Sequence, residues 1–275
     1  ADGIVIEKDL TIRGYFNSYY KYIDTKIDAD NDGRIFSVND GATLTLQKII
    51  LTNGNDEKGG AVYVEANNNF YADTVNFINN TATYRGGAIY SEGTVNVDNC
   101  VFDKNDITYR AKNDDNGGAA IYNMKGTLNI AHTNITNSVK DIIIRNGNAG
   151  DLLNGVVVTS GDTLITDSYF ANNTGSYGGA ITSCGGLNSE DYTLTVKNTV
   201  FEGNNATFGG AIFVESSELV VDNCTFENNK GVQGKLTFKV IKDEKINFTE
   251  GDAVQRHVLR ITHLIVALQN CACFV

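Results

Sequence analysis

The segment Asp28-Ala29-Asp30-Asn31-Asp32-Gly33 has the residue types and the spacing of a cation-binding loop. Carboxylates at alternate positions, followed by a turn glycine, can wrap one hard cation such as calcium, which prefers oxygen ligands. The twelfth position of the loop is Asn39 instead of the usual bidentate glutamate, so an acidic, solvated turn is the alternative. The predicted metal ligands are Asp28, Asp30 and Asp32, and no cofactor other than calcium is expected.

The nearest approach to a catalytic cluster is the pair Asp114-Asp115, with Arg110 and His132 in the same part of the sequence. Polysaccharide lyases and glycoside hydrolases need an acid and a base at a set spacing. No such set recurs in this chain, and each of its three histidines is isolated. The main expectation is therefore a protein without catalytic residues, and a polysaccharide lyase or glycoside hydrolase is the alternative.

Four aromatic residues stand at one repeated position, directly after an aliphatic residue. If the aliphatic residue faces inward, the period of two in a strand places the rings on the outer side. Exposed, stacked rings could bind sugars or a partner surface, whereas the alternative is a ladder of rings that stiffens the sheet. The predicted binding residues are Tyr63, Tyr90, Tyr122 and Phe213.

Two short phrases recur along the chain at intervals of a few tens of residues. The first, Gly-Gly-Ala, begins at Gly59, Gly86, Gly117, Gly178 and Gly209. The second, Phe-x-x-Asn, begins at Phe77, Phe102, Phe170, Phe201 and Phe226. A repeat with a period of roughly 20–50 residues indicates a solenoid or a related array, in which each repeat buries its apolar face against its neighbours.

Each repeat also carries short runs of alternating apolar and polar residues, such as Thr94-Val95-Asn96-Val97-Asp98, which predict half-buried strands. Strands joined by Gly and Asn turns describe one coil of an all-β parallel β-helix, which is predicted for residues 1–232, with about seven to eight coils. The glycine pairs should form tight corners, the phenylalanines an inner stack, and the asparagines of Phe-x-x-Asn an amide ladder in left-handed conformations. Residues 233–275 are expected to form a cap or a partial module, with a pattern from Asp252 onward that also fits a helix.

Composition narrows the possible partners and the compartment. The net charge of −11 argues against binding to nucleic acid, which needs clustered Lys and Arg. No apolar run is long enough for a membrane-spanning helix.

Cys100 and Cys224 share one repeat position, too many coils apart to form a disulfide, and are expected to be buried. Without an initiator Met or an apolar leader, the chain is expected to start at a processed end or inside a longer polypeptide.

The pairing of Gly-Gly-Ala-Ile with Phe-x-x-Asn resembles the polymorphic outer membrane protein repeat. The opening, from Ile4 to Gly14, is similar to adhesin-like surface proteins of methanogenic archaea. This resemblance covers about residues 1–230, because both phrases disappear after Gly231. It implies a right-handed parallel β-helix at the cell surface or outside the cell, which acts as a non-catalytic stalk or adhesin and binds surface glycans or proteins of other cells.

Six Asn-x-Ser/Thr sequons are permitted acceptors of glycans in a secreted protein. They begin at Asn79, Asn134, Asn172, Asn205, Asn223 and Asn247. Four of them lie in the Asn-rich turns or coil edges of the repeat, so the composition of the repeat is by itself a sufficient explanation for their number.

Overall fold

The protein is an all-β solenoid in the computed structural model. The structure describes residues 3–19, 22–23, 25–108, 117–124, 126–137, 157–184, 192–215, 218–233 and 259–264. Among these residues there is no helix, and hence none that is long and apolar enough to cross a membrane.

One face of the solenoid is a sheet of eight parallel strands, one for each successive winding of the chain. Numbered in chain order with the other strands, they are β1 (Ile4–Ile6), β6 (Phe36–Val38), β9 (Val62–Val64), β12 (Ile89–Ser91), β16 (Ile121–Met124), β19 (Val157–Ser160), β23 (Ile181–Cys184) and β27 (Ile212–Glu215). This regular order confirms the predicted parallel β-helix.

The second sheet has 14 strands and forms two further faces, because its three ten-residue strands pair with different neighbours along their two halves. Its strands are β2 (Leu10–Arg13), β5 (Lys26–Asp28), β7 (Thr43–Thr52), β10 (Asn69–Ile78), β13 (Thr94–Asp98), β14 (Val101–Asp103), β17 (Leu128–Ala131), β18 (Asn134–Thr136), β20 (Thr163–Thr166), β21 (Tyr169–Ala171), β24 (Thr193–Lys197), β25 (Val200–Glu202), β28 (Glu218–Glu227) and β30 (Leu259–Leu264).

Two three-stranded parallel sheets and one hairpin complete the described fold. The first small sheet contains β8 (Asn55–Lys58), β11 (Thr81–Arg85) and β15 (Asp106–Ile107), and the second contains β22 (Thr174–Tyr177), β26 (Asn205–Phe208) and β29 (Lys230–Gln233). The hairpin joins β3 (Phe16–Asn17) to β4 (Tyr22–Ile23) and is antiparallel. The handedness and the total number of coils stay predictions.

A continuous column of side chains runs through the core. Phe77 is in register with Phe102, and their rings stack with centroids 4.5 Å apart. Phe201 stacks in the same way between Phe170, at 5.1 Å, and Phe226, at 4.8 Å. The predicted inner stack of phenylalanines is therefore confirmed. It runs in two parts, because the degraded repeat places an isoleucine between Phe102 and Phe170.

A glycine pair forms the corner before five of the eight strands of the first sheet (β9, β12, β16, β23 and β27), as at Gly86-Gly87. Gly86 has a φ of 65°, a conformation that glycine adopts without strain. A Cβ on Gly87 would collide with the carbonyl oxygens of Ala119 and Asp106, which belong to the next coil and the adjacent sheet. At this corner, Gly86 is therefore favoured by the turn and Gly87 by the close stacking of the coils.

The two repeat cysteines are free and buried, as predicted. Burial raises the pKa of the Cys100 thiol to about 12 and that of Cys224 to about 11. Both thiols therefore stay protonated and pack as small apolar groups in equivalent slots of the core.

The C-terminal segment contributes one described strand, β30, which pairs in parallel with β28 in the last coil of the large sheet. A helix at Leu259–Leu264 is therefore ruled out, because this segment is a strand. The rest of residues 234–275 lies outside the described residues, so the division at residue 232 stays a prediction.

Candidate functional site

The predicted calcium loop is an exposed turn that follows β5. Asp28 accepts a salt bridge from Lys26 Nζ at 3.0 Å and hydrogen bonds from Asn53 Nδ2 at 2.8 Å and the Asp30 amide at 3.0 Å. The hydrogen bonds from Lys26 and Asn53 lower the pKa of Asp28 to about 2. The described residues contain no cluster of three or more His, Cys, Asp or Glu side chains that could hold a metal. Calcium binding by Asp28, Asp30 and Asp32 stays a prediction, and an ion bound to both oxygens of Asp28 would displace Lys26.

The aromatic row exists, but its predicted exposure is wrong. Tyr63, Tyr90 and Tyr122 stack with centroids 5.2 and 5.6 Å apart. Tyr90 is 0% exposed, Tyr122 1% and Phe213 6%, and only Tyr63 is half-buried. The tyrosines lie outside the main core in a small cluster of their own, so they point outward as the strand period requires, and other side chains cover them.

Cationic side chains supply that cover. Arg34 lies over the ring of Tyr63 at 4.9 Å, and Lys58 lies over the ring of Tyr90 at the same distance. Arg85 lies over Tyr122 at 5.3 Å. Each cation comes from the coil before the ring that it covers. Lys58 and Arg85 stand directly before a glycine pair, whereas Arg34 follows Gly33 within the equivalent corner.

The cationic cover is held in place by polar contacts. The guanidinium of Arg34 pairs with Asp56 at 2.8 Å and also donates to Ser37 Oγ at 3.0 Å. The Tyr90 hydroxyl donates to Glu92 Oε1 at 2.8 Å, and burial is the main cause that raises the pKa of Tyr90 above its ordinary value. The row therefore packs as a structural ladder, which was the alternative interpretation of these residues.

Phe213 belongs to a second aromatic group in later coils. Its ring meets Tyr177 edge to face, with centroids 4.8 Å apart, and Tyr177 stacks on Phe208 at 4.7 Å. Tyr177 and Phe208 stand directly before glycine pairs, at the position that Lys58 and Arg85 occupy in earlier coils. Tyr177 thus covers the ring of the next coil, as the cations do.

The predicted asparagine ladder is confirmed. Asn204 Oδ1 accepts hydrogen bonds from the backbone and side-chain nitrogens of Asn173, at 3.1 and 3.0 Å. Asn204 Nδ2 donates to Asn229 Oδ1 at 2.8 Å and to the Phe170 carbonyl at 3.0 Å. The same pattern joins Asn80 to Asn105, and all five ladder asparagines are completely buried.

The conformation predicted for the ladder was assigned to the wrong residue. The left-handed backbone falls on the residue before each ladder asparagine, as at Asn79 (φ 54°) and Asn172 (φ 55°). The ladder residue itself turns inward, because its amide must reach the backbone of the coil below.

The candidate catalytic cluster is not assembled within the described residues. Arg110, Asp114 and Asp115 lie outside them. His132 lies on an exposed turn with Nδ1 2.7 Å from Asp98 Oδ1, and that hydrogen bond raises the pKa of the imidazole.

A partly exposed stripe on the second sheet was missed by the sequence analysis. Tyr71, Asn96, Asn129 and Leu164 are in register on β10, β13, β17 and β20, and we call them the outer stripe. Tyr71 and Leu164 are each 40% exposed, and Asn129 Nδ2 donates to Asn96 Oδ1 at 2.7 Å. The strand period could have found these residues, because each alternates with buried neighbours.

Comparison with known protein families finds the Chlamydia polymorphic membrane protein repeat at two places, residues 74–92 and 198–215. Each match begins just before a Phe-x-x-Asn phrase and ends after the next Gly-Gly-Ala-Ile corner, so it contains one phenylalanine of the core stack and one ladder asparagine. Comparison with curated proteins and with solved structures finds no match. The chain therefore carries this repeat, in agreement with the resemblance found in its two phrases.

Proposed function

We propose that this chain is a non-catalytic, adhesin-like domain of a cell-surface or secreted protein, and that it binds glycans or proteins on other cells. The observation that carries the proposal is the polymorphic membrane protein repeat, which coincides with the phenylalanine column and the asparagine ladder of the solenoid. A scaffold of continuous columns presents long, regular outer faces, and function then depends on the side chains on those faces.

The outer stripe is the face that best suits such binding. Since Tyr90 and Tyr122 are buried, the aromatic row cannot meet a ligand without rearrangement of its cover. Neighbouring strands lie about 4.8 Å apart, so Tyr71 and Leu164 mark the ends of a stripe about 14 Å long. Tyrosine offers an apolar ring with a polar tip, and amides offer both donors and acceptors. That combination matches a sugar chain, which has apolar faces and hydroxyl edges.

The test is binding of the full chain to glycan arrays and to intact cells, with variants of the stripe. We expect the double variant Tyr71→Ala/Leu164→Ala to weaken binding by tenfold or more, because truncation of central interface anchors commonly has effects of this size, about 1.4 kcal/mol or more. Tyr15→Ala is the matched control, since Tyr15 is an exposed tyrosine near the hairpin and away from the stripe. An equal loss in both variants, or no binding by the folded wild type, would contradict the proposal.

The absence of catalysis is tested separately. The full chain is incubated with uronate and neutral polysaccharides, with and without calcium, and released oligosaccharides are measured. We expect no release above a heat-denatured control. Turnover that disappears in Asp114→Ala would instead establish the polysaccharide-active alternative.

A further inference from the structure

The sequon asparagines and the ladder asparagines are different sets, although they are neighbours in the sequence. In Asn79-Asn80-Thr81 and in Asn172-Asn173-Thr174, the sequon begins at the first asparagine, which is exposed, and the second asparagine is buried in the ladder. In Asn204-Asn205-Ala206-Thr207 the order is reversed, yet the sequon again begins at the exposed residue.

The whole described chain follows the same division. The five sequon asparagines that the structure describes are all exposed: Asn79, Asn134, Asn172, Asn205 and Asn223. None of the five ladder asparagines begins a sequon: Asn80, Asn105, Asn173, Asn204 and Asn229. A glycan on a ladder residue would prevent folding, whereas one on a sequon residue would project into solvent.

Four of the exposed acceptors lie on one short strand face of the solenoid or in the turn that follows it. Asn134 begins β18 at the start of this face, Asn79 and Asn172 lie in the turn at its end, and Asn205 begins β26 just beyond that turn. Asn79 and Asn172 occupy equivalent positions three coils apart, which corresponds to about 14 Å along the axis. Within the described part of the chain, the side-chain Nδ2 atoms of these four residues donate no hydrogen bond, whereas their backbone N–H groups do. We call them the acceptor edge.

Asn223 differs from these four. It lies in the turn at the opposite end of the strand face, and its Nδ2 donates to Asn198 Oδ1 at 2.9 Å. We therefore leave it out of the acceptor edge.

We propose that the acceptor edge is a row of N-glycosylation sites, at Asn79, Asn134, Asn172 and Asn205. The reaction joins each Nδ2 to the anomeric carbon of an oligosaccharide carried on a polyprenyl pyrophosphate lipid. One N–C bond forms, the C–O bond to the pyrophosphate breaks, the nitrogen loses one proton, and the lipid pyrophosphate leaves. No oxidant or reductant is needed. This inference rests on export of the chain, which is part of the proposed function.

The position of the row has a consequence for binding. Tyr71 lies on the first half of the bent strand β10, whereas Asn79 follows its second half, and the two halves pair with different strands. Glycans on the acceptor edge would therefore shield one edge of the solenoid and leave the outer stripe on a separate face.

The experiment is secretion of the full chain from a host that has an oligosaccharyltransferase, with an added sequon in an unstructured terminal tail as an internal control. Intact mass and glycopeptide mapping are measured before and after enzymatic removal of N-glycans. We expect a glycan at each of the four asparagines on most molecules. In Thr81→Ala, Thr136→Ala, Thr174→Ala and Thr207→Ala, only the corresponding glycan should be lost, and the matched Thr→Ser variants should keep it.

Two readouts keep the outcome unambiguous. Circular dichroism and thermal unfolding of each variant establish that a missing glycan does not come from misfolding. If the tail sequon is occupied while the four asparagines of the folded, secreted protein stay unmodified, the proposal is overturned. Cell binding by unglycosylated protein made in bacteria tests the proposed function independently. Failure of the glycosylation proposal therefore does not imply failure of the proposed adhesin-like function, and the reverse also holds.

Discussion

The lower coils, residues 34–124, and the upper coils, residues 157–233, cover the outer side of the first sheet with different chemistry. In the lower coils a cation lies over each ring of the tyrosine stack, as Lys58 lies over Tyr90. In the upper coils the residue directly before the glycine pair, which covers the ring of the next coil, is aromatic: Tyr177 meets Phe213 edge to face. In both regions, successive strands of the first sheet pair in parallel, as β9 with β12 and β23 with β27.

This difference shows which property of the covering position the fold requires. Lys, Arg and Tyr all have long side chains with an apolar part that can pack against an aromatic ring and a polar end. A positively charged side chain can therefore cover the ring, but the coil does not require a charge at this residue. Val158 and Thr182 stand between Tyr122 and Phe213 in register, so the aromatic row is interrupted there. Thr182 donates its hydroxyl to the Tyr177 carbonyl at 2.5 Å.

The largest effects should come from the asparagine ladder, which both regions share. Asn80→Leu and Asn204→Leu each leave at least two buried backbone groups without a partner, so we expect a loss of about 3–5 kcal/mol in the free energy of unfolding. Denaturant unfolding measures this loss. Asn205→Gln is the exposed control, with a small expected change. A large difference between the two ladder variants would show that the lower and upper coils differ in more than the side chains that cover their aromatic rings.

The second effect should separate the two aromatic groups. Tyr90 stacks on two tyrosines and is completely buried, so we expect Tyr90→Ala to lower the free energy of unfolding by about 3–5 kcal/mol. Phe213→Ala should cost less, because that ring is 6% exposed and has one described aromatic neighbour. Denaturant unfolding of the two variants gives the comparison, and an equal or reversed order would contradict it.

A third experiment exchanges the covers. Lys58→Tyr gives a lower coil the side-chain type of the upper coils, and we expect a change of less than about 1 kcal/mol, the size of an exposed cation–π contact. Lys58→Gly removes the cover and should expose the Tyr90 ring to solvent, which second-derivative ultraviolet spectroscopy detects. If Lys58→Tyr exposes the ring as strongly as Lys58→Gly, the two covers are not equivalent.

The parts of the fold that were predictable are those in which a residue is repeated in every coil. Phe77 and Phe102 share one slot, and so do Asn80 and Asn105, so stacking alone determines their partners. Alternation along a strand tells only on which side of the sheet a side chain such as Tyr90 lies. It does not tell what else lies on that side.

The missing information concerned contacts between neighbouring coils. Lys58 precedes its glycine pair by one residue and reaches a ring more than thirty positions later, because the coils stack. A cation or an aromatic residue directly before four of the five glycine pairs was the signal in the sequence that could have shown this cover. The insertions that carry Asp114 and Asp115 have no equivalents in other coils, so no column fixes their partners.

The smallest effect is the pH dependence of an outer turn that differs between the regions. His132 bonds to Asp98 in the coil below, whereas in the upper coils Asn223 donates to Asn198, and Asn198 donates to Asp167. The hydrogen bond between His132 Nδ1 and the Asp98 carboxylate, followed by the charges of Asp98 and Asp167, raises the pKa of His132 above its ordinary value of 6.5. A group whose folded pKa is raised stabilises the protein fully below its unfolded pKa, and this contribution is lost as the pH rises through the folded pKa.

We therefore expect the stability of the wild type, relative to His132→Asn, to fall between about pH 6 and pH 8. Asparagine tolerates the left-handed backbone at this turn, where His132 has a φ of 45°, and it is the residue type of the upper coils. Chemical denaturation across this pH range measures the difference, and NMR titration of the imidazole gives its folded pKa directly. A folded pKa below 6.5, or the same pH profile in the variant, would show that the turn is as insensitive to pH as its amide counterparts.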